Sequence, residues 1–146
     1  MLTAAVVVPR PPSGRRTFTH WSFSPTAATV PLVRARVRAV LEGWRLSLDL
    51  SDVMLLAVSE LVTNVVRHAA SVTDRLRVTV AFEEGRLRLD VADGDPSLPR
   101  VGPVDLDAEG GRGLAIVGLL VAEAGGEVSV VAGRCGKAVR VCLPAG

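Results

Sequence analysis

The sequence has no apolar run near the roughly 18 residues that a membrane-spanning helix needs, and this excludes such a helix. Its opening, MLTAAVVVPRPP, is apolar but has no basic leader, and Arg10 and the prolines cut it short. Residues 1–14 therefore read as a flexible tail and not as a secretory signal. Cysteine is scarce. Cys135 and Cys142 are the only two, and no CxxC or Cys/His spacing points to zinc or a disulfide scaffold. Reduced thiols in a cytoplasmic protein are the expectation. Lysine is scarcer still: sixteen of the seventeen basic residues are Arg, and Lys137 stands alone. The basic residues are spread along the chain and the net charge is only +2, which argues against nucleic acid as a partner. No repeat and no compositional break divides the chain. Residues 15–146 are expected to form a single domain with a sizeable core.

What is present is strong periodicity. The stretch LLAVSELVTNVVRHAA, Leu55 to Ala70, follows Met54 and repeats apolar residues at helical spacing. Met54, Val58, Leu61 and Val65 form one stripe, and Leu55, Val62 and Val66 widen it. A polar line of Glu60, Asn64 and His68 runs along the remaining face at i+4 steps. A carboxylate on so apolar a helix is costly unless it is paired, metal-linked or protonated. Glu60 and Asn64 either line a ligand or metal site or sit on a partly solvated face. Thr29 to Trp44 predicts an earlier helix with Pro31 in its first turn. Asp49 or Ser51 is the expected cap of the central helix.

The remainder alternates with a period of two. Thr17 to Phe23, Arg75 to Glu83 and Arg86 to Ala92 predict strands, the last two joined by a turn at Glu84-Gly85. Leu114 to Ala124 predicts a third helix closed by Gly125-Gly126. Glu127 to Ala132 and Lys137 to Leu143 predict a final pair of strands. The expected fold is α+β: a two-layer sandwich with a mainly antiparallel mixed sheet and three helices on one face.

Between Asp93 and Gly111 periodicity vanishes among prolines, glycines and acidic residues, as in a lid or binding loop. Gly110-Gly111-Arg112-Gly113 leads into the third helix. Bare N–H groups at a helix start suit a phosphate, although many glycine turns merely connect elements. The Rossmann fingerprint fails because Ile116 stands where its third glycine belongs. The Walker pattern fails at Gly133 to Lys137, which is too short and leads into a strand.

Taken together, the order of three segments resembles the GHKL family, the ATP-binding domain shared by gyrase and histidine kinases. SELVTNVVRHA is similar to its Asn-containing box, VADGDPSLP to its first Gly box and GGRGLAIV to its second. The likeness runs over nearly the whole chain. It is greatest to the small bacterial branch of anti-sigma-factor serine kinases, whose closing strand GKAVRVCLP resembles.

The resemblance implies a Bergerat-type ATP-binding fold with ATP and Mg²⁺ as cofactors. It implies Asn64 as the Mg²⁺ ligand and Glu60 as the carboxylate that activates the attacking hydroxyl. Asp93 would accept from the adenine amino group, and so favour ATP over GTP. Gly111, Arg112, Gly113 and Leu114 would wrap the phosphates, and Arg67, His68, Asp95, Pro96 and Lys137 complete the nucleotide-binding set. Asp95 departs from the pattern, since a glycine is frequent there. The implied activity is a serine/threonine kinase acting on an anti-sigma-factor antagonist, with that antagonist or a sigma factor as partner. A homodimer joined through the first strand and helix is a further expectation. A non-catalytic module that binds partners under nucleotide control is the alternative, and retention of Glu60 favours the kinase.

Overall fold

A computed structural model describes residues 16–69, 75–94, 111–133 and 136–145. The expected N-terminal tail and the segment 95–110, with Asp95 and Pro96, lie outside the described residues, as does Cys135. The order is β1 (Thr17–Phe23), α1 (Thr29–Gly43), α2 (Leu48–Asn64), β2 (Leu76–Glu83), β3 (Arg86–Asp93), α3 (Gly111–Glu123), β4 (Glu127–Gly133) and β5 (Gly136–Pro144). A π-helical turn, Val65–Ala69, continues α2.

The strands form one sheet in the order β1-β2-β3-β5-β4. Each of its four described pairings is antiparallel. Strand alternation decides which face is covered. Leu76, Val78 and Val80 of β2 are buried, as are Leu87, Leu89 and Val91 of β3 and Val141 and Leu143 of β5. They meet Val33, Val37, Val40 and Leu41 of α1, Met54, Val58, Leu61 and Val62 of α2, and Val117 and Val121 of α3 in a single core. All three helices therefore lie on one face. Trp44 is buried and packs edge-on to Phe82 at 6.3 Å, so it serves the core.

Local chemistry sets the helix ends. Ser47, and neither Asp49 nor Ser51, caps α2: its hydroxyl accepts from the Leu50 N–H at 3.3 Å. The helix begins before the apolar stripe, because only a residue outside the first turn can turn its oxygen back onto the free N–H groups. Asp49 then falls inside that turn, where its charge complements the helix dipole. Thr29, buried at the start of α1, donates its hydroxyl to the Ser24 carbonyl at 2.5 Å and fastens the helix to the end of β1. The exit of α1 bonds Arg45 N–H to Glu42 O and Leu46 N–H to Leu41 O, with Arg45 at φ 54°. The exit of α3 repeats this pattern with Gly125 and Gly126, and both are Schellman closures.

Among the described residues, no helix covers the opposite face of the sheet. There Arg140 grips Asp90 in a fork, Nε to Oδ1 at 2.8 Å and Nη2 to Oδ2 at 3.2 Å. Arg88 Nε stands 3.4 Å from the same carboxylate. The hydrogen bond to Asp90 raises the pKa of Arg140 against the opposing effect of burial. Burial is also the chief reason the Cys142 thiol is pushed up.

Leu41 is fully buried where α1 meets the rest of the core. Leu41→Ala is expected to cost about 2–5 kcal/mol of unfolding free energy, since the packed surroundings collapse only in part. Urea denaturation measures this.

Candidate functional site

Two polar clusters interrupt the apolar layer between helices and sheet. The first lies where α2 passes the start of α3. Glu60 and Asn64 sit one turn apart on α2 and both are half-buried. Their neighbours Ser59 and Thr63 donate back along the helix, Ser59 Oγ to Leu55 O at 2.8 Å and Thr63 Oγ1 to Ser59 O at 2.6 Å. Ser59 also accepts from Arg34 Nη1 at 2.9 Å, which ties α1 to α2 beside the site. The helix changes to π geometry directly after Asn64, and such turns gather at functional sites. Arg67 and His68 lie in that turn and are exposed. The extra residue per turn changes their phase relative to Glu60 and Asn64.

Gly111, Arg112, Gly113 and Leu114 form the first turn of α3. Gly113 is the contact point with α2: a Cβ there would overlap Glu60 Oε2 and Cδ. The missing side chain is what lets a carboxylate approach bare backbone at a helix N-terminus. N–H groups in such a first turn have no intrahelical acceptor. They are suited to phosphate oxygens. Leu114 is half-buried and packs against the core.

The second cluster ends two columns of the sheet. In β3 the buried series Leu87, Leu89, Val91 continues to Asp93, and in β5 the series Leu143, Val141, Val139 continues to Lys137. Asp93 and Lys137 are cross-strand partners on the helix-covered face. Lys137 Nζ stands 3.9 Å from Asp93 Oδ2, and the two side chains are only 13% and 6% exposed. Gly136 allows this closeness, because a Cβ there would overlap the main-chain oxygen of Asp93. Its signal in the sequence is its place directly before Lys137. α2 packs on both β3 and β5, so the helix bearing Glu60 and the strands bearing the second cluster share one layer.

A cavity of about 480 Å³ opens at the second cluster, with Asp93, Gly94, Gly136 and Lys137 in its lining. Its walls include Ser22, Arg77, Ala92, Ala138 and Val131, which form one cross-strand row on the uncovered face. The cavity thus sits at the end of the sheet, where the uncovered-face row meets Asp93 and Lys137. Among the described residues no three of His, Cys, Asp and Glu gather to hold a metal by themselves. None of the helices described is long and apolar enough to cross a membrane.

An antiparallel sheet with three helices on one face and polar residues in the layer between is a Bergerat-type ATP-binding fold. Residues 23–143 match the histidine kinase-like ATPase domain, and the chain belongs to that family. It is thus a GHKL domain, and family membership implies a capacity to bind ATP with Mg²⁺. Solved structures agree on the fold. The RsbU and RsbW domains of a Mycobacterium tuberculosis protein superpose with a TM-score of 0.65 at 21% identity, over 87% of this chain and 32% of that one. The histidine kinase domain of a blue-light activated kinase from Erythrobacter litoralis gives 0.55 at 24% identity, over 81% and 60%. The histidine kinase AdeS from Acinetobacter baumannii gives 0.54 at 12%, over 88% and 68%. The chain spans about a third of the length of the first and three-fifths of the second. No individual curated protein matches the sequence.

The two glycines are expected to respond differently to alanine. At Gly113 the obstacle is the far end of a flexible Glu60 side chain, which can swing away, so Gly113→Ala should stay within about 1 kcal/mol of the parent. At Gly136 the obstacle is main chain of Asp93 and Gly94. Gly136→Ala should cost about 1–3 kcal/mol. Chemical denaturation of the two variants side by side checks the order.

Proposed function

We propose that the chain binds Mg·ATP in the layer between α2, α3 and the sheet, and transfers the γ-phosphoryl group to a serine or threonine of a protein partner. The observation that carries this reading is the approach of Glu60 to the bare Gly113 backbone, with Asn64 one helical turn away. That juxtaposition sets a carboxylate and a neutral oxygen donor beside a phosphate-binding helix start. A general base and a γ-phosphate must meet in such a place.

The donor set fits Mg²⁺, which takes one or two protein oxygens and fills its remaining positions with phosphate and water. Asn64 would hold it. When bound, the ion neutralises charge on the β- and γ-phosphates. The N–H groups of Gly111, Arg112, Gly113 and Leu114 would bind the phosphate oxygens. Arg67 and His68 would add positive charge at the rim. Glu60 would orient the partner's hydroxyl and accept its proton as the oxygen attacks in line. Asp93 would receive the base at the strand end, with Asp95 and Pro96 following it in the chain.

A protein substrate also needs a surface. Ile116 and Leu119 of α3 are 51% and 66% exposed just beyond Gly113, an apolar pair beside the reaction site. The partner class is an anti-sigma-factor antagonist, a sigma factor or both, and the setting is cytoplasmic. The exposed Phe18 on β1 and Leu32 on α1 supply contacts for self-association on the two elements expected to carry it.

Two substitutions separate binding from chemistry. Asn64→Ala should fold normally but lose the Mg²⁺-dependent part of its ATP affinity, read by calorimetry with and without the metal. Glu60→Gln keeps the shape but not the base. It should bind Mg·ATP as the parent does, while transfer of radiolabelled phosphate to the antagonist falls about 10²-fold or more. Equal transfer by this variant and the parent would remove Glu60 from the chemistry. A parent that binds Mg·ATP yet labels no partner would move the reading to a nucleotide-controlled binding module.

A further inference from the structure

Gly113 shares a face of α3 with Val117 and Val121, at successive i+4 steps. Those two valines are buried, so that face is turned toward the core. On α2, Ala57 and Leu61 are buried on either side of Glu60 in the chain. Apolar packing therefore sets the distance between the two helices, and Glu60 meets Gly113 where that packing ends. The contact is closer than any side chain on Gly113 would allow. A methyl there would stand 2.7 Å from Cδ of Glu60 and 3.4 Å from Oε1, and it would overlap Oε2. The two carboxylate oxygens thus differ: Oε2 is lodged in the place of the missing side chain, and Oε1 stands farther off. Gly118, in the same helix, offers a contrast, because a Cβ there would meet nothing.

We propose that Gly113 is a positioning residue whose missing side chain fixes the Glu60 carboxylate in its reactive place. This rests on the reading of Glu60 as the general base. A glutamate has several rotatable bonds, so a half-buried one has more than one place to put its carboxylate. The notch at Gly113 selects one of them. Oε2 seated there lies at the first turn of α3, whose dipole favours a negative charge. A glycine Cα–H meets an oxygen with weak attraction, where a methyl would exclude it. Oε1 is left to accept the proton of the attacking hydroxyl. In that step the hydroxyl oxygen bonds to the γ-phosphorus, its proton passes to Oε1, and the bond from the γ-phosphorus to the bridging oxygen of ADP breaks. A misplacement of about 1 Å in a reacting group can cost on the order of 10²-fold in rate. A methyl on Gly113 forces a displacement of that order, because it takes the place that Oε2 occupies. The N–H of the same residue is untouched by the change, so phosphate binding and base placement are separable at one position.

The test is Gly113→Ala in the full chain, with Gly118→Ala as the same change in open space. Titration calorimetry reads Mg·ATP affinity. Release of radiolabelled phosphate from Mg·ATP reads turnover, with water in place of the partner's hydroxyl. Gly113→Ala is expected to bind Mg·ATP within about threefold of the parent, while its kcat falls about tenfold or more. Gly118→Ala should keep the parent kcat. Glu60→Asp withdraws the carboxylate by one methylene. It should lower kcat in the parent, yet raise it when added to Gly113→Ala, since the shorter side chain clears the methyl. Melting reads the contact without any nucleotide. Alanine is the better helix former, so Gly113→Ala should raise Tm more beside Glu60→Ala than beside Glu60 itself. If Gly113→Ala alone does not fold, its rescue by Glu60→Ala identifies the carboxylate as the obstacle, and failure of that rescue overturns the proposal. A parent-like kcat in Gly113→Ala, an equal loss on Glu60→Asp in both backgrounds, or an equal Tm shift in both, overturns the positioning role and leaves the nucleotide site standing. A parent that binds Mg·ATP but releases no phosphate overturns the catalytic reading of Glu60 and this proposal with it. Failure of the parent to bind Mg·ATP overturns the site itself.

Discussion

The packing of α2 on the covered face of the sheet is the constraint from which the rest follows. Met54, Val58, Leu61 and Val62 are essentially without solvent contact, and they face the buried columns of β2, β3 and β5. Burial of side chains of this size contributes on the order of 1.5–3 kcal/mol each. The rotation of the helix about its axis is therefore fixed. With it, Glu60 and Asn64 have one place to go, the margin of the contact where α3 begins. The same rule acts on the strands. Once Val91 and Val139 are committed inward, Asp93 and Lys137 two residues away must face inward as well. The polar groups of the layer occupy the ends of apolar columns that the core has already oriented.

Bare backbone completes both clusters. Gly113 lets α3 start against a carboxylate, and Gly136 lets β5 close on the end of β3. These close approaches differ in kind. One meets a side chain that can rotate, and the other meets main chain held by the sheet. The region that would receive phosphates is thus the adaptable one, and the region that would receive the base is rigid. This suits a site that holds one end of a ligand still while chemistry proceeds at the other.

Much of this was legible in the sequence because apolar periodicity is a direct readout of burial. The alternation from Arg75 to Ala92 located β2 and β3 to within a residue or so, and the stripe from Met54 to Val65 located α2. The glycines at 111 and 113 pointed to the start of α3, but the helix takes them in and begins at Gly111, three residues before the expected Leu114. Other features depend on contacts between distant residues. The cap at Ser47 was hidden because Asp49 and Ser51 have equally suitable side chains, and only the true start of the helix separates them. The π turn after Asn64 has no marker in the composition of VVRHA. The pairing of Asp93 with Lys137 depends on the register of β3 against β5, strands that the third helix separates in the chain. The placement of Glu60, Asn64, Asp93 and Gly113 follows from local pattern. Their chemistry rests on family resemblance, to which the geometry adds the contact of Glu60 with α3.

The strand order carries a consequence for how such a domain can diversify. The chain leaves β3 at Asp93, and the next described element begins at Gly111; both residues belong to the candidate site. The two ends of that connection are pinned by rigid elements. The entropy of closing a loop between fixed ends grows only with the logarithm of its length, about 0.6 kcal/mol for each doubling. Insertions and deletions between the anchors therefore weigh little on the stability of the described elements. The fold keeps its candidate site on helices and strands, and the length of chain between the two halves of that site is free to change at little cost.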